Sequence, residues 1–135
     1  NRPEYFGRQL VMDAEDHLIR EETALLSGAT AIPVAQVSAL VGHFGGVAYP
    51  AHIDRPAFSL LSNLGLWMPE ASFPAAELSL HCPPGFTRRP DLRGVPFLTG
   101  CDAHFLTEIP DPSQSLLLAH KTPQAVIDVL RSGKV

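Results

Sequence analysis

The chain has 135 residues, 45% of them hydrophobic and 18% charged, a composition that suits one globular domain, or a piece of one, with a core to bury. A formal charge of −4 disfavours a general nucleic-acid or acidic-membrane surface, and no apolar run approaches the ~20 residues of a membrane span or reads as a signal peptide. Two cysteines, Cys82 and Cys101, make neither a disulfide framework nor a C-x-x-C metal knuckle, so a reducing cytoplasm is the expected setting.

The chain starts at Asn1 rather than Met, as a shortened or processed product would. Residues 1–28 read as a hairpin and connector, and residues 29–135 as β/α units. Two short apolar runs within 8–20 flank the turn-like Asp13-Ala14-Glu15-Asp16 and predict a β-hairpin with a four-residue connection. Their alternation is too short to separate strand from helix. His17 falls at the hairpin's edge as a solvated histidine, and residues 21–28 are compatible with one or two helical turns. Pro33 suits the first position of a helix. Val34, Val37, Leu40, Val41 and Phe44 then recur at helical spacing, and Gly45-Gly46 supplies the stop. The helix dipole alone accounts for His43 near that C-terminus.

Residues 47–51 form an apolar run suited to a buried strand, which delivers His52, Asp54 and Arg55. Pro56 and the apolar Phe58, Leu60, Leu61 and Leu64 predict a short helix ending at Gly65, with Asp54 or Arg55 at its start. A helix start beside His52 suits a phosphate, and it is equally no more than a helix start. Residues 66–74 read as a loop holding the only tryptophan, Trp67. A buried strand over 75–80 sets Glu77 and Ser79 on one face. Glu77 is then either a residue just behind a site or an exposed edge position, and His81 beyond it is a candidate for the same pocket. Residues 82–94 make a proline- and arginine-rich loop whose arginines form a solvated face or reach a substrate anion. A strand over 96–100 ends in Cys101-Asp102-Ala103-His104, and a last strand is expected over 115–119. Thr122-Pro123 opens a helix with Ala125, Val126, Val129 and Leu130 on one face and Gly133 as its stop. A hairpin followed by alternating β and α units predicts an α/β architecture with parallel strands.

The chemistry is concentrated at two strand ends. Residues two apart on a strand point the same way, so Asp102 and His104 face one side and can approach one metal or bridge two. His52 brings a third donor from another strand, and such mixed nitrogen and oxygen sets suit Zn²⁺, Mn²⁺ or Fe²⁺.

The stretches Gly-Gly-Val-Ala-Tyr-Pro-Ala-His-Ile-Asp-Arg (45–55), Leu-Ser-Asn-Leu-Gly (61–65), Ala-Ala-Glu-Leu-Ser (75–79) and Cys-Asp-Ala-His (101–104) resemble the polymerase and histidinol phosphatase (PHP) family. The opening Asn-Arg-Pro-Glu-Tyr-Phe-Gly-Arg-Gln-Leu-Val-Met-Asp is also similar to a segment of bacterial PHP-domain proteins. The resemblance implies part of a distorted (β/α)7 barrel, a cluster of two or three divalent ions, and hydrolysis of a phosphate ester by metal-activated water. It gives His52 the place of the family's single late histidine, and Asp102 and His104 its final Asp-x-His. Arg55 lies where an arginine could hold the substrate phosphate, and Cys101 stands where relatives usually have serine.

The family's early His-x-His, its glutamate and its middle histidine have no counterpart here. The match is therefore to the C-terminal half of a PHP domain. The expected partners are a phosphorylated small molecule or nucleotide, and either the missing N-terminal half or further copies of the chain. Two other readings use the same residues: a PHP-like structural or interaction module without catalysis, and an amidohydrolase-type enzyme. The second of these normally needs a lysine between strands, and neither Lys121 nor Lys134 lies near a strand end.

Overall fold

Asp13 organises the first reversal of the chain. Its Oδ1 accepts the backbone N–H groups of Glu15 (3.0 Å) and His17 (2.8 Å), the local closure that aspartate offers a turn. Strands β1 (Leu10–Met12) and β2 (Leu18–Glu21) pair antiparallel on either side, with a register shift between Val11 and Met12. The connection spans residues 13–17, one more than expected, and Asp16 takes a left-handed φ of 63° within it. His17 is solvated, with its ring Nδ1 3.1 Å from Asp13 Oδ2. Residues 21–28 form no helix, because Glu21 continues β2 and its carboxylate is held by Arg8 at 2.8 Å. A four-residue helix, α1 (Pro3–Phe6), precedes the hairpin.

These elements make up the first of two units, Asn1–Ile32 and Pro33–Val135, in a computed structural model that describes residues 1–112 and 115–134. In the second unit, helix α2 (Val34–His43) carries the expected apolar face, with Val34, Val37 and Val41 half-buried, and packs on the 3-10 turn Pro69–Ala71. Pro33 stands just before the helix rather than in its first position. Gly46 follows the helix so closely that a Cβ there would lie 2.8 Å from Val41 Cγ1.

Helix α3 (Leu60–Leu64) begins later than expected. Its cap is Ser59, 2% exposed, whose Oγ accepts Ser62 N at 3.1 Å while Ser62 Oγ accepts Ser59 N at 3.1 Å. Neither Asp54 nor Arg55 is free for that duty: Ser79 occupies the Asp54 carboxylate, and the Arg55 carbonyl accepts Ser59 Oγ.

Strands β3 (Ala76–Ser79) and β4 (Phe97–Gly100) pair parallel in the register Ala76–Phe97 through Ser79–Gly100. Two sequence expectations fail beside them. Residues 47–51 do not form a regular strand, although the segment does lie against β3: Glu77 N donates to Pro50 O at 2.9 Å and Ile53 N donates to Glu77 O at 2.8 Å. That spacing sets two residues, Ala51 and His52, against one, and the extra residue breaks the ladder as a bulge does. Residues 115–119 are not a strand either; among the described residues no backbone hydrogen bond joins them to another segment, and Leu117 is 95% exposed. A strand exists only through a paired edge.

Helix α4 (Pro123–Arg131) starts as expected, with Thr122 Oγ1 accepting Ala125 N at 3.2 Å. The core of this unit is Ile53, Leu61, Trp67, Ala76 and Leu92, joined by Phe73, Leu78, Phe86 and Phe97. The described residues thus give a mixed α/β chain of four helices and two two-stranded sheets, with no closed barrel among them. None of these helices is long and apolar enough to cross a membrane.

Candidate functional site

A cleft of about 800 Å³ opens at the carboxyl ends of β3 and β4. Asp54, Arg55, Ser79, His81, Asp102 and His104 are among its lining residues. Sites gather at this end of parallel strands because the chain must turn there, and turns can present polar side chains without spoiling the ladder.

The loop that carries His52, Asp54 and Arg55 is fastened to β3 along its length. Ile53, 1% exposed, is its apolar anchor, a burial worth about 1.5–3 kcal/mol. Asp54 continues the fastening: Ser79 N donates to its Oδ1 at 2.7 Å and Ser79 Oγ to its Oδ2 at 2.5 Å. Burial pushes the Asp54 carboxyl up, but the two bonds from Ser79 outweigh it and hold the group below the usual carboxylate range. Burial pushes the nearby Cys82 thiol up, and the negative Asp54 adds to that effect.

His52 and Asp102 both occupy left-handed backbone, with φ of 32° and 49°. Histidine and aspartate are among the non-glycine types that tolerate this region, at a cost of about 1–3 kcal/mol each. The two bends bring the His52 Nε2 to 4.0 Å from Asp102 Oδ2. Arg55 reaches the same oxygen, with Nη1 at 2.6 Å. The His52 ring is 15% exposed, does not line the cleft, and has a buried Nδ1 without a hydrogen-bond partner.

His104 is exposed, and its Nδ1 sits 2.7 Å from the carbonyl oxygen of Asp102. Its backbone N–H donates to Glu108 Oε2 at 2.8 Å, which fixes the loop that follows. Glu77 lies under the site and not in the cleft; its Oε1 accepts His52 N at 3.4 Å. Gly100 makes room for that carboxylate, since a Cβ there would come within 2.6 Å of both carboxylate oxygens. His81 lines the cleft, exposed, with its N–H on Ser79 Oγ at 3.3 Å.

Three segments far apart in sequence therefore contribute to one cleft, and Arg55 and His52 both face a single oxygen of Asp102, at 2.6 and 4.0 Å. A set of metal ligands requires more. First-row divalent ions take donors at about 2.0–2.2 Å. A separation of 4.0 Å would place His52 Nε2 and Asp102 Oδ2 on nearly opposite sides of an ion, and the Arg55 guanidinium already occupies that oxygen. Among the described residues no group of three His, Cys, Asp or Glu side chains could hold a metal ion, so the donors of this chain do not by themselves fit one.

Asp54, Ser79 and Glu108 also line the cleft, although the sequence does not single them out as site residues. The only signals are the place of Asp54 in the His-Ile-Asp-Arg run and the face that Ser79 shares with Glu77. Glu108 carried no signal, because its role is to accept backbone N–H groups in a loop. Comparisons of the chain with protein-family models, with curated proteins and with solved structures found no match.

Proposed function

We propose that the chain is the C-terminal part of a PHP-type metal-dependent phosphoesterase, part of a distorted (β/α)7 barrel, acting in the cytoplasm on a phosphorylated small molecule or nucleotide. The observation that carries the reading is the meeting of Arg55, His52 and Asp102 at the strand ends, with two of the three held on left-handed backbone. Costly backbone is kept where a side chain must be aimed. In this reading His52, Asp102 and His104 belong to a ligand set for zinc, manganese or iron that is completed by other residues. They come from an N-terminal portion or from a second copy. Arg55 holds the ester's phosphate, and Glu77 steadies the His52 loop from behind.

A titration of the chain with inorganic phosphate, followed residue by residue in amide NMR spectra, tests the reading. The amides of Arg55, Asp102 and His104 are expected to shift together at millimolar phosphate. Unchanged spectra there would remove the phosphate-ester assignment. Hydrolysis of an aryl phosphate by the chain alone is expected to be slight, because its ligand set is incomplete.

A second reading, a PHP-like module without catalysis, draws on one specific feature: the lack of a three-donor group among the described residues. Metal content of the chain joined to its remaining ligands separates the two, since the module stays metal-free.

A further inference from the structure

Arg55 and Asp102 both line the cleft, and each directs its charge at the other: Arg55 Nη1 lies 2.6 Å from Asp102 Oδ2. The pair differs from a structural clamp in the same unit. Arg89 grips Asp91 at two points, Nε to Oδ1 (3.0 Å) and Nη2 to Oδ2 (2.9 Å), and both partners are tied further, to Gly65 O and Trp67 N. That is the two-pronged geometry that fixes a guanidinium. Arg55 gives Asp102 a single hydrogen bond, and its side chain is 41% exposed.

The backbone beneath that side chain is held. Arg55 N donates to His52 O at 3.0 Å, Arg55 O accepts Ser59 Oγ at 2.8 Å, and the neighbouring Asp54 is fastened to Ser79. The guanidinium can therefore turn away from Asp102 while its anchor stays in place. A freed Asp102 still faces His52 Nε2, 4.0 Å from its Oδ2. The other carboxylates lining the cleft are engaged elsewhere: Asp54 accepts both donors of Ser79, and Glu108 accepts the N–H groups of His104 and Phe105.

We propose that the pair is a self-blocking contact: Asp102 stands in for an oxyanion on Arg55, and an oxyanion ligand binds by displacing it. The choice of a phosphate-type oxyanion rests on the phosphoester reading. Such an ion can take two parallel N–H donors of the guanidinium where Asp102 takes one, which favours the exchange. An anion that touches Arg55 only once, as Asp102 does, gains little by entering.

The test is a titration of the chain with inorganic phosphate and, separately, with sulfate, followed at the Arg55 and His104 amides by NMR. Asp102→Asn and Asp102→Gly both remove the charge. Both residue types accept the left-handed φ of 49° at this position, so each guards against misfolding of the other. Each variant is expected to bind phosphate about 3- to 10-fold more tightly than the unaltered chain, the range for releasing a partly exposed ion pair and removing a like charge beside the anion. Adding Arg55→Met should erase the gain. Glu108→Gln removes a charge from the same cleft without touching Arg55, and should change the affinity by less than about 2-fold because water screens it.

No gain for either anion in both Asp102 variants overturns the block. So does a gain that survives Arg55→Met, or an equal gain from Glu108→Gln, which would mark a general charge effect. The two readings fail separately. A gain for sulfate with no phosphate binding to any of the proteins sinks the phosphoester reading and leaves the block standing. Phosphate bound equally by the unaltered chain and both Asp102 variants does the reverse.

Discussion

Asp91 offers the sharpest test of how the candidate site's platform is held. Its carboxylate is gripped by Arg89 and also accepts the backbone N–H of Trp67 at 3.0 Å, which ties the turn Pro90–Leu92 to the centre of the core. The bonds from Arg89 are the main reason its pKa falls to about 2, opposed by burial and assisted by Trp67. Against an unfolded value near 3.9, that difference corresponds to at most about 2.5 kcal/mol. Water screens a side chain that is 27% exposed, which reduces the charge's contribution to about 1 kcal/mol. Asp91→Ala also strands the Trp67 N–H beside a residue only 6% exposed, for a combined loss of about 2 kcal/mol. Trp67 is the only tryptophan, so its fluorescence during urea unfolding reports directly on this core. A carboxyl whose folded pKa is depressed stabilises fully above its unfolded pKa and loses that contribution as pH falls through the folded value. The gap between the unaltered protein and Asp91→Ala should therefore be full above about pH 5 and narrow by about 1 kcal/mol towards about pH 2. An equal urea midpoint at neutral pH, or a gap that does not narrow in acid, would refute the reasoning.

Three further outcomes are expected. Ser59→Ala removes the cap of α3 and the bond from its Oγ to Arg55 O (2.8 Å), and should cost about 1–2 kcal/mol in thermal or urea unfolding; an unchanged melting temperature would count against the capping role. Gly100→Ala should displace the Glu77 carboxylate and speed hydrogen exchange at the His52 amide, with a stability loss of about 1 kcal/mol because a glutamate can give way; unaltered exchange would show that Glu77 does not steady that loop. Phe44 (80% exposed), Phe58 (92%), Leu106 (88%) and Leu117 (95%) leave more apolar surface uncovered than a lone domain normally shows, so the chain should self-associate or bind a covering partner. Sedimentation at micromolar concentration that finds a compact, monodisperse monomer would contradict this.

Much of the local structure was legible because local chemistry decides it. The valines of α2 recur at helical spacing and its glycines stop it, Thr122 caps α4, and Asp13 closes a turn with its own carboxylate. The same holds for β3 and β4, whose apolar runs were recognisable within a residue at each end. What pairing decides was not legible. Residues 47–51 and 115–119 look as strand-like as β3, yet one is interrupted by the extra residue at His52 and the other meets no partner edge among the described residues. The cleft divides in the same way. That His52, Arg55, Asp102 and His104 carry the polar chemistry follows from residue type and from their place after apolar runs. Which of them touch was settled only by tertiary structure, because left-handed φ at His52 and Asp102 aims two side chains where no regular strand would send them. Residue types define what chemistry is on offer, whereas the fold decides which groups meet, and it sets Arg55 Nη1 2.6 Å from Asp102 Oδ2.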